Sequence, residues 1–407
     1  MLGKIYHIKL NLINGLKFFY IHNIMFIYDN VHGQIQICDK AKRIIDTKEF
    51  QRLRNIKQLG LIYQVFISAS HNRFEHSIGV FHLAKKYMDV LNSKSDDSLK
   101  PYFSAEEYFL ISIAALIHDL GHGPFSHLFD DYVEISNHEY RSVEIFRHMN
   151  KKYNLGYTDF QIEFIKNVID PSNISFVIQT KYLYQIVSND NGIDVDRMDY
   201  IMRDTKMTGL NYGVEHMRIM DNTVVDDNEL KYDTKCKIPI ESFFTTRYIL
   251  YKEICNHKTV VSIEHHIKDI LKEIDDQFSI TKCVREEDWE QYILLTDNII
   301  SYIDFIPDEN LSRAKEILND ISERNILKLV GEIISDKELD IVSPNKNIVI
   351  IKTKIKYHNK ELPKFVNDKK VKTLLNENVL RPVEHITKIM CKYTDNEEAN
   401  ALFESYL

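Results

Sequence analysis

Between residues 46 and 330 the apolar positions recur mostly three and four apart, the spacing of helices that bury one face. Ile263, Ile267, Ile270, Leu271, Ile274 and Phe278 make the longest such stripe. Ser104-Ala105-Glu106-Glu107 is a capping-box pattern, and the helix it starts turns Leu110, Ile113, Ala114 and Ile117 inward until Gly121, Gly123 and Pro124 stop it. Ser136 and Glu139 repeat that pattern ahead of Val143, Phe146 and Met149, and Asn191-Gly192 marks a turn before VDRMDYIMRD. Residues 26–40, FIYDNVHGQIQICDK, read instead as short strands around an HG turn, and NIVIIKTKIKYH alternates apolar residues with lysine as a strand does. VLRPVEHITKIMCKY is open to either strand or helix. The pattern predicts a mainly α protein: an N-terminal extension over 1–25, a helical core over 26–335, and a small C-terminal α+β lobe over 336–407 packed on it.

Bulk properties narrow the class. The 407 residues suffice for a substantial core, and only 12 glycines and 8 prolines favour helix. A formal net charge of -8 argues against a protein devoted to coating nucleic acid. The 5 cysteines are far apart and form no CxxC, which points to a reducing, intracellular setting, cytoplasmic or nuclear. The opening MLGKIYHIKLNLINGLKFFYIHNIMFIY is apolar, but Lys4, Lys9 and Lys17 interrupt it and no small-residue cleavage site follows. Neither a signal peptide nor a membrane anchor is expected, and Met25 offers an alternative start.

One segment breaks the amphipathic logic. LIHDLGHGPFSH places His118, Asp119, His122 and His127 at the end of an apolar helix, where a carboxylate needs a compensating partner. Imidazole with carboxylate suits first-row divalent metals. His118 and Asp119 supply half a site. Two other stretches offer the rest: SHNRFEHS, with Arg73 and His76 on one helical face, and NGIDVDRMDYIMRD, with Asp196, Tyr200 and Asp204 every four residues. Each has a plainer reading: an HD pair arises by chance, His76 alone fits a satisfied core histidine, and Asp196, Arg197 and Asp199 fit a solvated, ion-paired face. His82, His148, His216, His265 and His266 are read as structural. The ordered ensemble favours a site.

FQRLRNIKQLGLIYQVFISASHNRFEHSIGV, LIHDLGHGPFSHLFD and NGIDVDRMDYIMRD closely resemble the HD-domain deoxynucleoside triphosphate triphosphohydrolases, above all the animal enzymes that add a SAM domain. The likeness runs from about residue 26 to near the C terminus, SRAKEILNDISERNILKLVGE included, and leaves no room for a SAM domain. It implies His76, His118, Asp119 and Asp196 as ligands of one divalent transition metal: Fe, Mn or Zn, with Ni or Co as alternatives and Mg on the substrate phosphates. The reaction it implies cleaves the bond between the α-phosphorus and the 5′ oxygen, releasing deoxynucleoside and inorganic triphosphate. The leaving alkoxide needs an acid. His127 is the choice, with Asp130 to orient it, His138 to complete a relay and His122 to meet phosphate. Arg73, Arg197 and Arg247 match phosphate contacts, Arg197 replacing a more usual lysine. Tyr200, Asp204 and Gln58 would meet the sugar, and Leu59 would press on C2′.

Departures from the family pattern fall in TTRYILYKEICNHK, beside Asn256: Cys255 stands for an aromatic at the sugar and Tyr251 for a histidine, so ribonucleotide exclusion rests more on Leu59. The animal enzymes are nucleotide-activated oligomers. Asp46, Gln51 and Arg54 match part of a guanine site for a GTP or dGTP activator, and His257 and Lys258 are retained. Met25, Asn222 and Glu253 replace expected cations, which weakens the case for a second triphosphate. A homo-oligomer, dimer or tetramer, is expected. The competing readings are an HD-superfamily nucleotide phosphatase or phosphodiesterase, and a single-stranded nucleic-acid-binding module with a structural metal. Arg73, Arg247 and Leu59 favour the triphosphohydrolase.

Overall fold

A computed structural model describes residues 25–95, 101–173, 180–357, 361–366, 383–392 and 396–406. The N-terminal extension before Met25 lies outside them. Helices dominate, as expected, and three pack together to carry the candidate ligands: Arg73–Asn92, Ala105–Ile117 and Val195–Thr208. Their starts follow from local chemistry. Asn72 and Glu75 form a reciprocal capping box, as do Ser104 and Glu107. The Asp194 carboxylate accepts the Arg197 N–H, and Gly209 ends that helix with a φ of +79° that suits glycine. From Leu110 to Ile117 every residue is buried, so this helix is a core element on all sides.

One cap differs from the pattern. The His138–Tyr153 helix is capped by Asn137, whose side chain accepts the Tyr140 N–H, and not by Ser136. Ser136 instead gives its carbonyl to the Arg141 guanidinium. Two adjacent residues with capping side chains make the frame ambiguous, and tertiary contact chooses between them.

Among the described residues the strands form three small sheets. Met25–Asp29 and Gly33–Ile37 make the expected hairpin, with Asp29 opposite Gly33. Thr223–Asp226, Glu229–Asp233 and Phe365–Val366 form a second sheet that the pattern did not announce. The third has Val383–Cys391 between Lys328–Ser335 and Ile348–Lys356, both antiparallel to it. VLRPVEHITKIMCKY is thus a strand wherever described, its residues 379–382 and 393 falling outside. Its central place explains the mixed pattern, since Ile386 to Cys391 are buried on both faces. The Lys328–Ser335 edge comes from sequence first read with the helices. Tyr357, 1% exposed, hydrogen-bonds Thr245 at 2.8 Å, and Arg247 donates to the Lys356 carbonyl at 2.9 Å. These contacts join the end of the Ile348–Lys356 strand to the helical core. Among the described residues no helix is long and apolar enough to cross a membrane.

Past the Ala105–Ile117 helix the chain makes a buried loop whose backbone carbonyls need partners. Arg52 donates to the carbonyls of Leu120 and His122 at 2.8 and 2.6 Å. Arg141 and Tyr292 both donate to that of Gly121, at 2.9 and 2.6 Å, and Ser142 to that of His118 at 2.5 Å. The loop sits so close to the next helix that a Cβ on residue 121 would stand 2.1 Å from the His138 carbonyl oxygen. That atom is backbone, as is the Ser142 nitrogen at 2.5 Å. Gly121→Ala is therefore expected to lower the unfolding free energy by about 1–3 kcal/mol, read by urea denaturation.

Candidate metal centre and active site

The three helices bring His76, His118, Asp119 and Asp196 to one point. Nitrogen and oxygen atoms of His76, His118 and Asp119 lie within 4.8 Å of one another. Asp196 Oδ1 closes the group, 3.0 Å from His76 Nε2 and 3.5 Å from His118 Nε2. Asp119 lies 3.5 Å from His76 Nε2 through Oδ2 and 3.4 Å from His118 Nε2 through Oδ1. His118 Nδ1–H is committed to the Ala115 carbonyl at 2.9 Å, which leaves Nε2 as the bare nitrogen. That atom is buried and makes no hydrogen bond, although two carboxylate oxygens face it. His76 Nδ1 is likewise taken by Asp199 Oδ2 at 2.8 Å, so Nε2 points at Asp196.

The unpartnered His118 lone pair, aimed at carboxylate oxygens, repels them unless a cation lies between, while His76 Nε2 meets Asp196 Oδ1 at hydrogen-bond distance. The titration tendencies agree. Burial pulls His76 and His118 down, yet the Asp196, Asp199 and Asp119 carboxylates outweigh it; both are raised, His76 to about 10. The residues fit a divalent ion: two imidazoles and two carboxylates, with one imidazole fixed through its far nitrogen by a carboxylate and the other by a carbonyl.

Beside this centre lies a second cluster. His122, His127, Asp130 and His138 come together within ligand-like distance. The His122 and His138 rings stack at 3.8 Å, and His122 Nε2 is 3.3 Å from Asp119 Oδ1, which links the two groups. Burial first, then Arg73 and His138, push His122 well below its usual value, so it stays neutral. Asp130 Oδ2 is 3.1 Å from His138 Nδ1 and 3.7 Å from His127 Nδ1, and Arg141 holds its other oxygen. Asp130 therefore holds His138 more closely than His127. The His127 side chain is 70% exposed, the open member of the cluster.

Arg73 donates to Asp119 at 2.5 Å and to Ser126 Oγ at 2.8 Å. Arg197 pairs with Asp194. Arg247 Nε donates to the Tyr200 hydroxyl at 3.1 Å, with its guanidinium 4.7 Å from the Tyr251 ring centre. Tyr251 and Cys255 lie in a widened π-type turn, Leu250–Cys255, which continues the Lys237–Ile249 helix; such turns often mark functional sites. Burial, then the Asp204 carboxylate, push the Cys255 thiol up, which argues against a nucleophilic role. Asn256 is tied to the Tyr251 carbonyl at 2.8 Å. Gln58 is buried with Oε1 unpartnered, next to the half-buried Leu59.

Pattern alone misses His71, whose Nε2 sits 2.6 Å from Asp204 Oδ1, and Asp199, fully buried where a solvated face was the plainer reading. Their partners are 133 and 123 residues away, and no local spacing announces them. Asp46, Gln51 and Arg54 line a separate cavity of about 420 Å³ with Met25, Asp29 and Glu75; His257 and Lys258 are not part of its lining.

The HD-domain profile matches residues 73–204, the span that holds all four candidate ligands. An HD domain-containing protein of Acanthamoeba polyphaga mimivirus is 36% identical over 337 residues, covering 75% of this chain and 72% of its own. The chain belongs to the HD-domain family. It is also similar to deoxynucleoside triphosphate triphosphohydrolase SAMHD1 of Homo sapiens, 36% identical over 414 residues, 90% of this chain and 62% of that protein. The Dictyostelium discoideum SAMHD1 homolog is 35% identical over 316 residues, 76% of this chain and 60% of its own. The HD-family chain thus spans only 60% and 62% of the length of these two triphosphohydrolases.

Burial pulls the Asp130 carboxyl up, but His127, His138, His122 and Arg141 outweigh it and hold it well below the usual range. Its contribution to stability is therefore full above the unfolded value of about 4 and shrinks as pH falls below that. Asp130→Asn should be less stable than the wild type by about 3 kcal/mol at pH 7. The gap should narrow steadily below about pH 4 in unfolding titrations.

Proposed function

We propose that this HD-family chain is a metal-dependent dNTP triphosphohydrolase, which converts a dNTP to deoxynucleoside and inorganic triphosphate. The observation that carries the reading is the buried, unpartnered His118 Nε2 among the carboxylates of Asp119 and Asp196 and His76 Nε2. His76, His118, Asp119 and Asp196 would hold the ion, with iron or manganese favoured over zinc by the mixed nitrogen and oxygen donors. When bound, such an ion supplies Lewis acidity toward a phosphate oxygen and activates water near neutral pH.

The chain's own groups divide the remaining work. A triphosphate carries about four negative charges and needs fixed cations. Arg73, Arg197 and Arg247 provide them, and the bonds Arg73 and Arg247 make to Asp119 and Tyr200 hold the guanidiniums in place before substrate arrives. His127, open on one side and near Asp130 on the other, donates the proton to the departing 5′ oxygen. His138 and Asp130 fix its surroundings, and neutral His122 meets phosphate. Tyr200, Asp204 and Gln58 receive the sugar, with His71 holding Asp204 from behind. Leu59 bounds the C2′ side, while Tyr251, Cys255 and Asn256 form the opposite wall.

The 420 Å³ cavity supports a regulatory site. Its Asp46 carboxylate, beside Gln51, suits the N–H edge of a guanine better than a phosphate chain, and Arg54 stacks 3.5 Å from the Phe74 ring centre. His257 and Lys258 would join such a site only through a second copy of the chain in a dimer or tetramer.

Incubation with dGTP and Mn²⁺ should yield deoxyguanosine and inorganic triphosphate on anion-exchange chromatography; release of single phosphates would replace this reading with a phosphatase. Asp119→Asn should lose turnover by about 100- to 1000-fold, the loss of several kcal/mol of charge stabilisation. In that blocked background, Arg54→Ala should weaken GTP binding by about tenfold in calorimetry.

A further inference from the structure

Behind His76 lies a buried charge assembly that none of the proposed catalytic steps uses. Asp199 and Arg203 are both 0% exposed. Arg203 grips both oxygens of Asp199, Nε to Oδ2 at 2.9 Å and Nη2 to Oδ1 at 3.0 Å. Asp199 Oδ2 also meets His76 Nδ1 at 2.8 Å, and Oδ1 meets His32 Nε2 at 2.5 Å. Arg203 Nη1 continues outward to Asp29 at 2.7 Å and Glu75 at 3.4 Å, both of which line the cavity. Asp29 is fixed in turn through Oδ1 by the Val31 and His32 N–H groups, each at 2.8 Å.

The space for this assembly is purpose-built. Gly79, three residues beyond His76, faces it, and a Cβ there would stand 1.9 Å from Asp199 Oδ1 and 2.6 Å from Arg203 Nη2. A carboxylate held by one contact can turn about its terminal bond and release the imidazole. A planar guanidinium bonded to both oxygens prevents that turn, and a lysine's single point charge does not.

We propose that Arg203 is a positioning residue for the metal centre, locking Asp199 so that His76 keeps Nε2 on Asp119 and Asp196, and tying that constraint to Asp29 and Glu75 on the cavity wall. The proposal rests on the metal-centre reading. Second partners of this kind are worth about 10- to 100-fold in metal affinity.

The test is Mn²⁺ binding by the full chain, followed by the signal of free Mn²⁺ in electron paramagnetic resonance, with the visible spectrum of the Co²⁺-loaded protein as a reporter of ligand geometry. Arg203→Lys should weaken Mn²⁺ binding by about 10- to 100-fold and shift the Co²⁺ bands. Asp29→Asn, which loosens one anchor and leaves the guanidinium in place, should weaken binding by a smaller factor. Mn²⁺ affinity within twofold of wild type and unchanged Co²⁺ bands in both variants would overturn the proposal while leaving the metal centre standing. A wild-type chain that takes up no Mn²⁺ would overturn both. Should Arg203→Lys fail to fold by circular dichroism, Asp29→Asn and His32→Gln decide by the same two readings.

Discussion

A carboxylate taken out of water must find its counter-charge in place, and the interior of this protein is organised around that requirement. Asp119 has Arg73, Asp130 has Arg141, Asp194 has Arg197 and Asp199 has Arg203. Asp196 differs. Among the described ion pairs its partners are His76 and His118 and no arginine. Four carboxylates around the centre thus have an arginine each, Asp204 has His71, and Asp196 meets only the two imidazoles, where the unpartnered His118 Nε2 also points. A divalent cation there completes the same rule that the arginines obey elsewhere.

The scaffold serves that arrangement from several directions. Three helices deliver the ligands, but the loop after the Ala105–Ile117 helix has no regular structure to satisfy its carbonyls. Arg52, Arg141, Ser142 and Tyr292 do so from three separate segments. Further out, the Lys356 carbonyl anchors Arg247, so the last sheet takes part in holding the guanidinium proposed to meet phosphate. The widened turn Leu250–Cys255 carries Cys255 and Tyr251, whose ring centre lies 4.7 Å from the Arg247 guanidinium.

Much of this was legible in the chain itself. The contiguous His118-Asp119 pair, Arg73 with His76, and the four-residue recurrence of Asp196, Tyr200 and Asp204 are local patterns on helices whose starts are also locally encoded. What escaped was long-range. Asp199 sits beside Asp196 in a run of charges that looks solvated, and only the fold shows that it points inward at His76 and His32. His71 and Asp297 carry no spacing signal, because each acts on a partner from another part of the chain. The central strand Val383–Cys391 was ambiguous because burial on both faces erases the alternation that identifies a strand.

Phe125 and Ser126 have φ values of +62° and +60°, a left-handed stretch in non-glycine residues just before His127. Such a conformation costs about 1–2 kcal/mol per residue, and it persists because neighbours restrain it. The Asp297 carboxylate accepts the Phe125 N–H at 2.7 Å and the Lys57 N–H at 2.8 Å, and Ser126 Oγ bridges Arg73 and the Lys57 carbonyl at 2.8 Å each. Arg73 is also the cation that would greet an incoming triphosphate. A shift of that guanidinium would remove one of the bonds on Ser126 Oγ and leave the Lys57 carbonyl and the Asp297 carboxylate to hold the turn alone.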